Sequence, residues 1–339
     1  MTVFNKIIEL KKLPRLSKHD QLVMGLINAI DSKILKKGDI LPSVNVMVEE
    51  LGFARKTIVK AYTDLKERGI VESRNRLGYF ILTTKTTQTI RVALVLYAFH
   101  TFQEAFYNTF RKSLGKDIHL DIFFHHNNHQ VFDSIMTSII SQYGMYVVAP
   151  IVTRKEEIKS ILTKIPPQKL LIVDRYSKMG NEYSYVSQRF RKPMYAALLS
   201  LESTLTKYDR FHLFFKKKSD YPKGILRAFV DFMEEKNLES SILNSYEVGS
   251  VKKGTVYFSI NDSDLWKIIK DCKNQNLILG KDVGIFSHNE NIIKEVISGG
   301  ITTFSTDFKS MATLAAKFVR KRQLMHEIIP SKLIRRASL

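Results

Sequence analysis

Between residues 17 and 35, apolar side chains recur at Leu22, Leu26, Ile27, Ile30 and Ile34 with charged residues between them. This is a helical stripe that Gly38 is expected to end. Leu41, Pro42 and Ser43 follow; Ser43 can cap a short helix whose apolar side is Val44, Met47, Val48 and Leu51, and Gly52 allows a tight turn. Over 55–68, Ile58, Ala61, Tyr62 and Leu65 fall at i, i+3, i+4 and i+7, so they face a core and leave Arg55, Lys56, Thr57 and Lys60 outside. Beyond Gly69, two β-prone runs at 70–72 and 79–82 are joined by a turn holding Arg74, Asn75, Arg76 and Gly78.

From residue 90 the pattern changes to apolar runs alternating with helical stretches. Strands are expected at 90–97, 118–124, 145–149, 170–173, 211–215, 256–260 and 283–286, with helices at 104–114, 131–143, 192–205, 224–236 and 264–273. Such alternation predicts a parallel sheet covered on both faces, an α/β architecture. Some 250 residues are too many for one compact sheet, so two lobes with a cleft between them are expected. Ligands in such folds sit beyond the C-terminal ends of the strands. The chain thus divides into residues 1–82, a polar β-branched joint at 83–89, and residues 90–339.

Composition narrows the function. The 339 residues carry 53 Lys and Arg against 33 Asp and Glu, a net charge of +20, which points to a polyanionic partner. Residues 1–85 hold 16 Lys and Arg against 9 Asp and Glu, so +13 of the charge lies beyond them and basicity alone does not locate a reader. Helix, turn, helix and basic hairpin is the layout of a winged helix-turn-helix, whose second helix enters the major groove of DNA. Arg55 is shaped to fork onto guanine, and Lys56, Thr57 and Lys60 lie where base edges and phosphates are met. Arg74 and Arg76 on the hairpin suit the minor groove.

This segment resembles the DNA-binding domain of the GntR family of bacterial transcriptional regulators. The matching residues are Gly38, Leu41, Pro42, Ser43, Leu51, Gly52, Arg55, Thr57, Val59, Ala61, Leu65, Gly69 and Gly78. The chain departs from that pattern at Asn45, where the family usually has arginine, and at Ala54, where it usually has a capping serine. Asn45 can still bond a phosphate or a base. The resemblance implies a homodimer on a near-palindromic operator, with Ser43, Asn45, Arg55, Lys56, Thr57, Lys60, Arg74 and Arg76 at the DNA.

Strand ends in the longer part collect polar and aromatic residues. The first strand leads into Phe99, His100, Phe102 and Phe106, aromatics suited to a pocket wall. Others end at Pro150, at Asp174 and Arg175, at Asn261 and Asp262, and at Ser287, His288, Asn289 and Glu290. Forked polar side chains beside aromatic faces suit a polyhydroxylated ligand, although Asp262 or Ser287 could equally be a helix cap. Here the chain resembles the ligand domain of LacI-type repressors, which is similar to periplasmic ribose-binding proteins. The signposts are Val173, Asp174 and Arg175, Asn261 and Asp262 before a helix, residues 282–285, residues 301–303 with Asp307 and Phe308, and the chain end from Ile329. That resemblance implies sugar contacts at Pro150, Asp174, Asn261, Asn289, Thr306 and Phe308. Asn289 stands where the family commonly has aspartate, and Lys223 is the nearest cation to the family's effector-binding arginine. GntR-type readers joined to such a domain respond to pentoses or deoxyhexoses such as arabinose or fucose, which makes these the favoured effectors.

The expected protein is therefore a repressor released from its operator by a small sugar. It needs no cofactor and performs no catalysis: no nucleophile elbow, phosphate-binding glycine loop or zinc-protease motif is present. His125, His126 and His129 lack cysteine or carboxylate companions, and the run reads as a polar loop. One cysteine, Cys272, excludes an intrachain disulfide. The N-terminal residues lack the apolar core of a signal peptide and no apolar run is long enough for a bilayer, so a cytoplasmic location is expected. The rival readings are a two-lobed solute receptor and an architectural DNA-binding protein with a vestigial sensor.

Overall fold

The computed structural model describes residues 2–11, 17–86, 90–99, 101–140, 142–175, 179–217 and 219–339. The N-terminal part comprises α1 (Val3–Lys11), α2 (Lys18–Asp31), α3 (Val44–Leu51), α4 (Arg55–Glu67), β1 (Val71–Arg74) and β2 (Gly78–Ile81). Its core is built from the apolar stripes of the helices together with Ile70, Val71 and Ile81. The second helix stops at Asp31, well before Gly38. Gly38 instead uses its positive φ of 92° to turn the chain toward the hairpin, where its N–H donates to the Ile81 carbonyl at 2.8 Å.

The first lobe follows: β3 (Ile90–Leu96), α5 (Thr101–Leu114), β4 (Ile118–Phe124), α6 (His129–Ile139), β5 (Met145–Val148), α7 (Lys155–Leu162), β6 (Leu170–Asp174) and β7 (Ser184–Gln188). The second holds α8 (Arg191–Ser200), α9 (Glu202–Leu205), β8 (Arg210–Phe214), α10 (Lys223–Glu235), β9 (Ser240–Leu243), β10 (Thr255–Ser259), α11 (Asp262–Asn274), β11 (Val283–His288), α12 (Ile292–Val296) and β12 (Thr302–Thr306). The chain then returns to the first lobe with α13 (Phe308–Lys321) and β13 (His326–Ile329), and ends in the second with β14 (Ser331–Ile334).

Each lobe is a six-stranded sheet, ordered β13-β7-β6-β5-β3-β4 and β14-β12-β11-β10-β8-β9. Pairing is parallel except between β12 and β14. Separate apolar clusters cover the two faces of each sheet, which is why central strands such as β5 are buried at every residue. The stretch expected as one helix over 192–205 is broken at Leu201 into α8 and α9. The strands β7, β9, β12, β13 and β14 and the helices α1, α7, α12 and α13 add to the elements legible from periodicity.

The chain passes between lobes after Gln188, after Thr306 and at Pro330. These crossings are laced together by side chains. Gln188 donates through Nε2 to Asp174 Oδ1 and accepts through Oε1 from Thr306 Oγ1. Thr306 Oγ1 also lies 2.7 Å from Ser331 Oγ.

Candidate nucleic-acid interface and effector cavity

At the reader, Ser43 caps α3, its Oγ accepting from the Val46 N–H at 3.3 Å, and Gly52 closes the helix in the left-handed region with φ 63°. Ile58, Ala61, Tyr62 and Leu65 are fully buried along α4. Tyr62 donates to the Pro42 carbonyl at 2.6 Å and meets the Tyr79 ring edge-on, fixing α4 against both the α3 approach and the hairpin. Arg55, Lys56 and Lys60 are exposed and Thr57 is half-buried. Ala54 offers no side-chain cap, so the first turn of α4 lacks a side-chain acceptor of its own. Asn45 has a geometric role that the spacing did not reveal: its Oδ1 accepts from Arg55 Nη1 at 2.5 Å, which orients the guanidinium.

On the hairpin, Arg74 pairs with Gly78 across the strands, lies 4.3 Å over the Phe80 ring and bonds Glu72 Oε1 at 2.7 Å. Arg76 stands exposed at the tip with φ 59°. The two arginines are therefore unequal: Arg74 is held and part-neutralised on the hairpin flank, and Arg76 is exposed in the turn.

The reader is seated on the first lobe. Glu67, the last residue of α4, pairs with Lys169 immediately before β6. A Cβ on Gly144, the residue before β5, would stand 3.2 Å from the Glu67 carbonyl oxygen, and one on Gly69 would stand 2.9 Å from the Arg91 side chain at the start of β3. The adjacent strands β6, β5 and β3 thus begin at the reader. They end at the cavity.

That cavity, about 620 Å³, opens where the C-terminal ends of the two sheets face each other. The first lobe contributes Tyr97, Phe102, His125, Pro150, Asp174 and Arg175; the second contributes Tyr221, Asn261, Asp262, His288, Asn289 and Glu290. Pro150, Asp174, Asn261 and Asn289 are thereby brought together around one space. Phe106, Lys223, Thr306 and Phe308 are not among its lining residues. Because α5 starts at Thr101, Phe106 falls at i, i+4 between Phe102 and Phe110, on the core face, stacked on Phe110 at 5.7 Å. Phe308 is 8% exposed and packs on Phe102 at 4.9 Å. Thr306 is consumed by the crossing contacts, and Lys223 is exposed at the start of α10. His100 lies outside the described residues.

Asp174 sits at φ 67° with its carboxyl pKa raised by burial, against the opposing charge of Arg175 and the Gln188 hydrogen bond. Arg175 reaches across the cleft: its Nη1 donates to the Asp220 carbonyl in the loop before α10, and its guanidinium lies 5.8 Å from the Phe190 ring. It supplies a cation inside the cavity, the role sequence reasoning sought at Lys223; its place directly after an apolar strand was the available signal. Asn261 caps α11 through Oδ1 and donates from Nδ2 to Tyr221 Oη at 2.7 Å, so its amide is committed to protein partners. Asn289 differs. Its backbone adopts φ 60°, its N–H donates to Phe304 O at 2.9 Å, and its buried Oδ1 has no hydrogen-bond partner among the described residues.

Two histidines, His125 and His288, are buried beside the cavity. His125 is 1% exposed; its Nε2 faces Ala149 O at 3.0 Å and its Nδ1 accepts from the Asn127 N–H at 3.1 Å. Burial pushes its pKa down to about 4. Burial also pushes His288 down to about 3, aided by the charges of Lys294 and Arg175. Among the described residues no group of three or more His, Cys, Asp or Glu side chains could hold a metal ion, and no helix is long and apolar enough to cross a membrane.

The family model for bacterial regulatory proteins of the gntR family matches residues 18–81, which takes in α2, α3, α4 and the hairpin of the N-terminal unit. The HTH-type transcriptional regulator Rv1152 of Mycobacterium tuberculosis is 39% identical over 62 residues, 18% of this chain and 51% of that protein. The chain spans about half the length of that curated relative. The remainder has the fold of LacI-type regulators. A LacI family transcriptional regulator from Lactobacillus casei with bound glucose is similar with a TM-score of 0.63 and 13% identity, covering 74% of this chain and 99% of that one. Another from Enterococcus faecium with bound ribose gives a TM-score of 0.59 and 12% identity over 73% of this chain and 98% of its own.

Proposed function

We propose that this chain is a ligand-controlled transcriptional regulator, a repressor that leaves a near-palindromic operator when a small sugar fills the cavity between its lobes. The observation that carries this reading is the placement of a DNA reader and a polar cleft at opposite ends of the same strands. Residues 1–82 form the reader, 83–89 the joint (of which 87–89 lie outside the described residues), and 90–339 the effector and dimerisation domain. At the DNA, Arg55 reads a base from the major groove, oriented by Asn45. Lys56, Thr57 and Lys60 hold phosphates alongside Ser43, and Arg76 with Arg74 enters the minor groove.

In the cavity, Asp174, Asn289 and Arg175 meet hydroxyls while Tyr97, Phe102 and Pro150 cover the apolar face of the ring. A volume near 620 Å³ suits a mono- or disaccharide, and a pentose or deoxyhexose such as arabinose or fucose is favoured. The relatives solved with glucose and ribose support a sugar as the ligand class. A homodimer is supported by α12, which exposes Ile292, Ile293 and Val296 at 64%, 49% and 70% on one short helix, an apolar surface that a second copy would cover. A cytoplasmic protein without enzymatic activity completes the proposal. A reader on the same chain weighs against a plain solute receptor.

Calorimetry across arabinose, fucose, ribose, glucose and sucrose tests the ligand class. Saturable binding of one of them, lost on Asp174→Ala, is expected; no binding by any would overturn the sugar reading.

A further inference from the structure

Lys294 is the unusual residue of the second lobe: a lysine on α12 that is 0% exposed. A buried ammonium is costly unless every donor is satisfied and its charge is matched. Here Nζ donates to the carbonyls of His288 at 2.8 Å and Asn289 at 2.9 Å and to Asp262 Oδ1 at 2.7 Å, so its three donors are accounted for. The ring of contacts closes through Asn291, whose Nδ2 donates to Asp262 Oδ2 at 2.9 Å and whose Oδ1 accepts from the Lys294 N–H at 3.0 Å.

The two carbonyls that Lys294 grips belong to the turn that holds Asn289 at φ 60°, in the left-handed region that asparagine tolerates better than most L-residues. Asn289 lines the cavity, and its buried Oδ1 has no hydrogen-bond partner among the described residues. An ammonium on the protein side of the turn, rather than among the cavity-lining residues, fixes the turn without offering the ligand a charge.

We infer that Lys294 is the positioning residue of the second-lobe wall, holding the 288–291 turn so that Asn289 keeps its place in the cavity lining, where a ligand meets it. The ligand half of this inference rests on the reading of the cavity as a sugar site. The alternative role, simple charge balance for Asp262, makes a different prediction once both charges are removed.

The test uses the full chain with Lys294→Met and the double variant Lys294→Met with Asp262→Asn, which keeps the experiment open should the single variant fail to fold. Without ligand, amide hydrogen exchange at 288–291 should quicken by about tenfold or more in the folded variants while the strands keep their protection. The sugar bound best by the unsubstituted chain should bind about tenfold or more weaker. Unchanged exchange at 288–291 in the double variant would overturn the positioning role, as would unchanged sugar affinity in a folded Lys294→Met. If the unsubstituted chain binds none of arabinose, fucose, ribose, glucose or sucrose, the sugar reading fails, and the exchange result alone decides the role of Lys294.

Discussion

Glu67, the last residue of α4, pairs with Lys169, which stands directly before the strand that ends at Asp174 in the cavity. Both partners are about four-fifths shielded from solvent. A five-residue strand therefore joins reader and cleft. On the proposed function, a sugar that moves Asp174 would act on the near end of an element whose far end holds α4, and coupling of this kind must be reciprocal between sugar and operator.

Breaking that pair should uncouple the sites. Lys169→Ala is expected to leave the sugar dissociation constant within about twofold while lowering the coupling free energy by about 0.5–2 kcal/mol. Exchanging the charges, Glu67→Lys with Lys169→Glu, should restore part of it. Operator binding measured with and without saturating sugar in each variant checks this. Undiminished coupling in Lys169→Ala would remove the pair from the pathway.

At the DNA, Arg55→Ala should cost about 1–3 kcal/mol and relax base preference at one position of each half-site. Lys60→Ala should weaken all sequences alike and reduce the slope of log K against log salt by about 0.9. Asn45→Ala, which frees the Arg55 guanidinium, should broaden preference with a smaller loss. Binding to a selected operator and its single-base variants at several salt concentrations separates these effects. Equal weakening of every sequence by Arg55→Ala would show that it touches phosphate only.

The neutral histidines give a pH signature. His125 and His288 stay unprotonated in the fold down to about 4 and about 3, while the unfolded chain binds protons at both from about 6.5 downward. The unfolded state then holds more protons, so stability falls as pH drops through 6.5 and the loss stops growing near those lower values. At pH 5 it amounts to at most about 2 kcal/mol per histidine. Urea midpoints at pH 7.5 and pH 5 measure it, and His125→Gln should lose its share of the slope. An unchanged slope in that variant would contradict the assignment.

Gln188 tests the hinge. Gln188→Leu removes the donor to Asp174 and the acceptor for Thr306 at once; Thr306 keeps Ser331, and the loss of the Asp174 hydrogen bond costs about 1–3 kcal/mol. Urea unfolding should report that loss, and sugar affinity should fall with it because Asp174 is no longer held. A variant as stable as the parent with full sugar affinity would place the crossings outside the mechanism.

The reader was legible because its signals are local. Gly52, Ser43 and the spacing of Ile58, Ala61, Tyr62 and Leu65 each act within one or two turns of chain. The central strands were legible for the same reason, since burial on both faces leaves continuous apolar runs such as 145–148. What escaped depends on distant partners. The strand at 184–188 mixes polar and apolar residues because Ser187 and Gln188 serve the crossings. Phe308 shows a resemblance overriding a local pattern: its spacing with Met311, Ala312 and Ala315 is that of a core face, and it lies in the core. Arg175 was visible as a strand-end residue, but its reach to Asp220 across the cleft is a property of how the lobes meet.

The central claim is coupling between sugar and operator. Fluorescence anisotropy of the full chain on an operator selected from random DNA, with and without the sugar that binds it best, measures that directly. The account predicts that the sugar weakens operator binding by about 5–150-fold, with the operator weakening sugar binding by the same factor. Operator affinity that is identical with and without saturating sugar would contradict it.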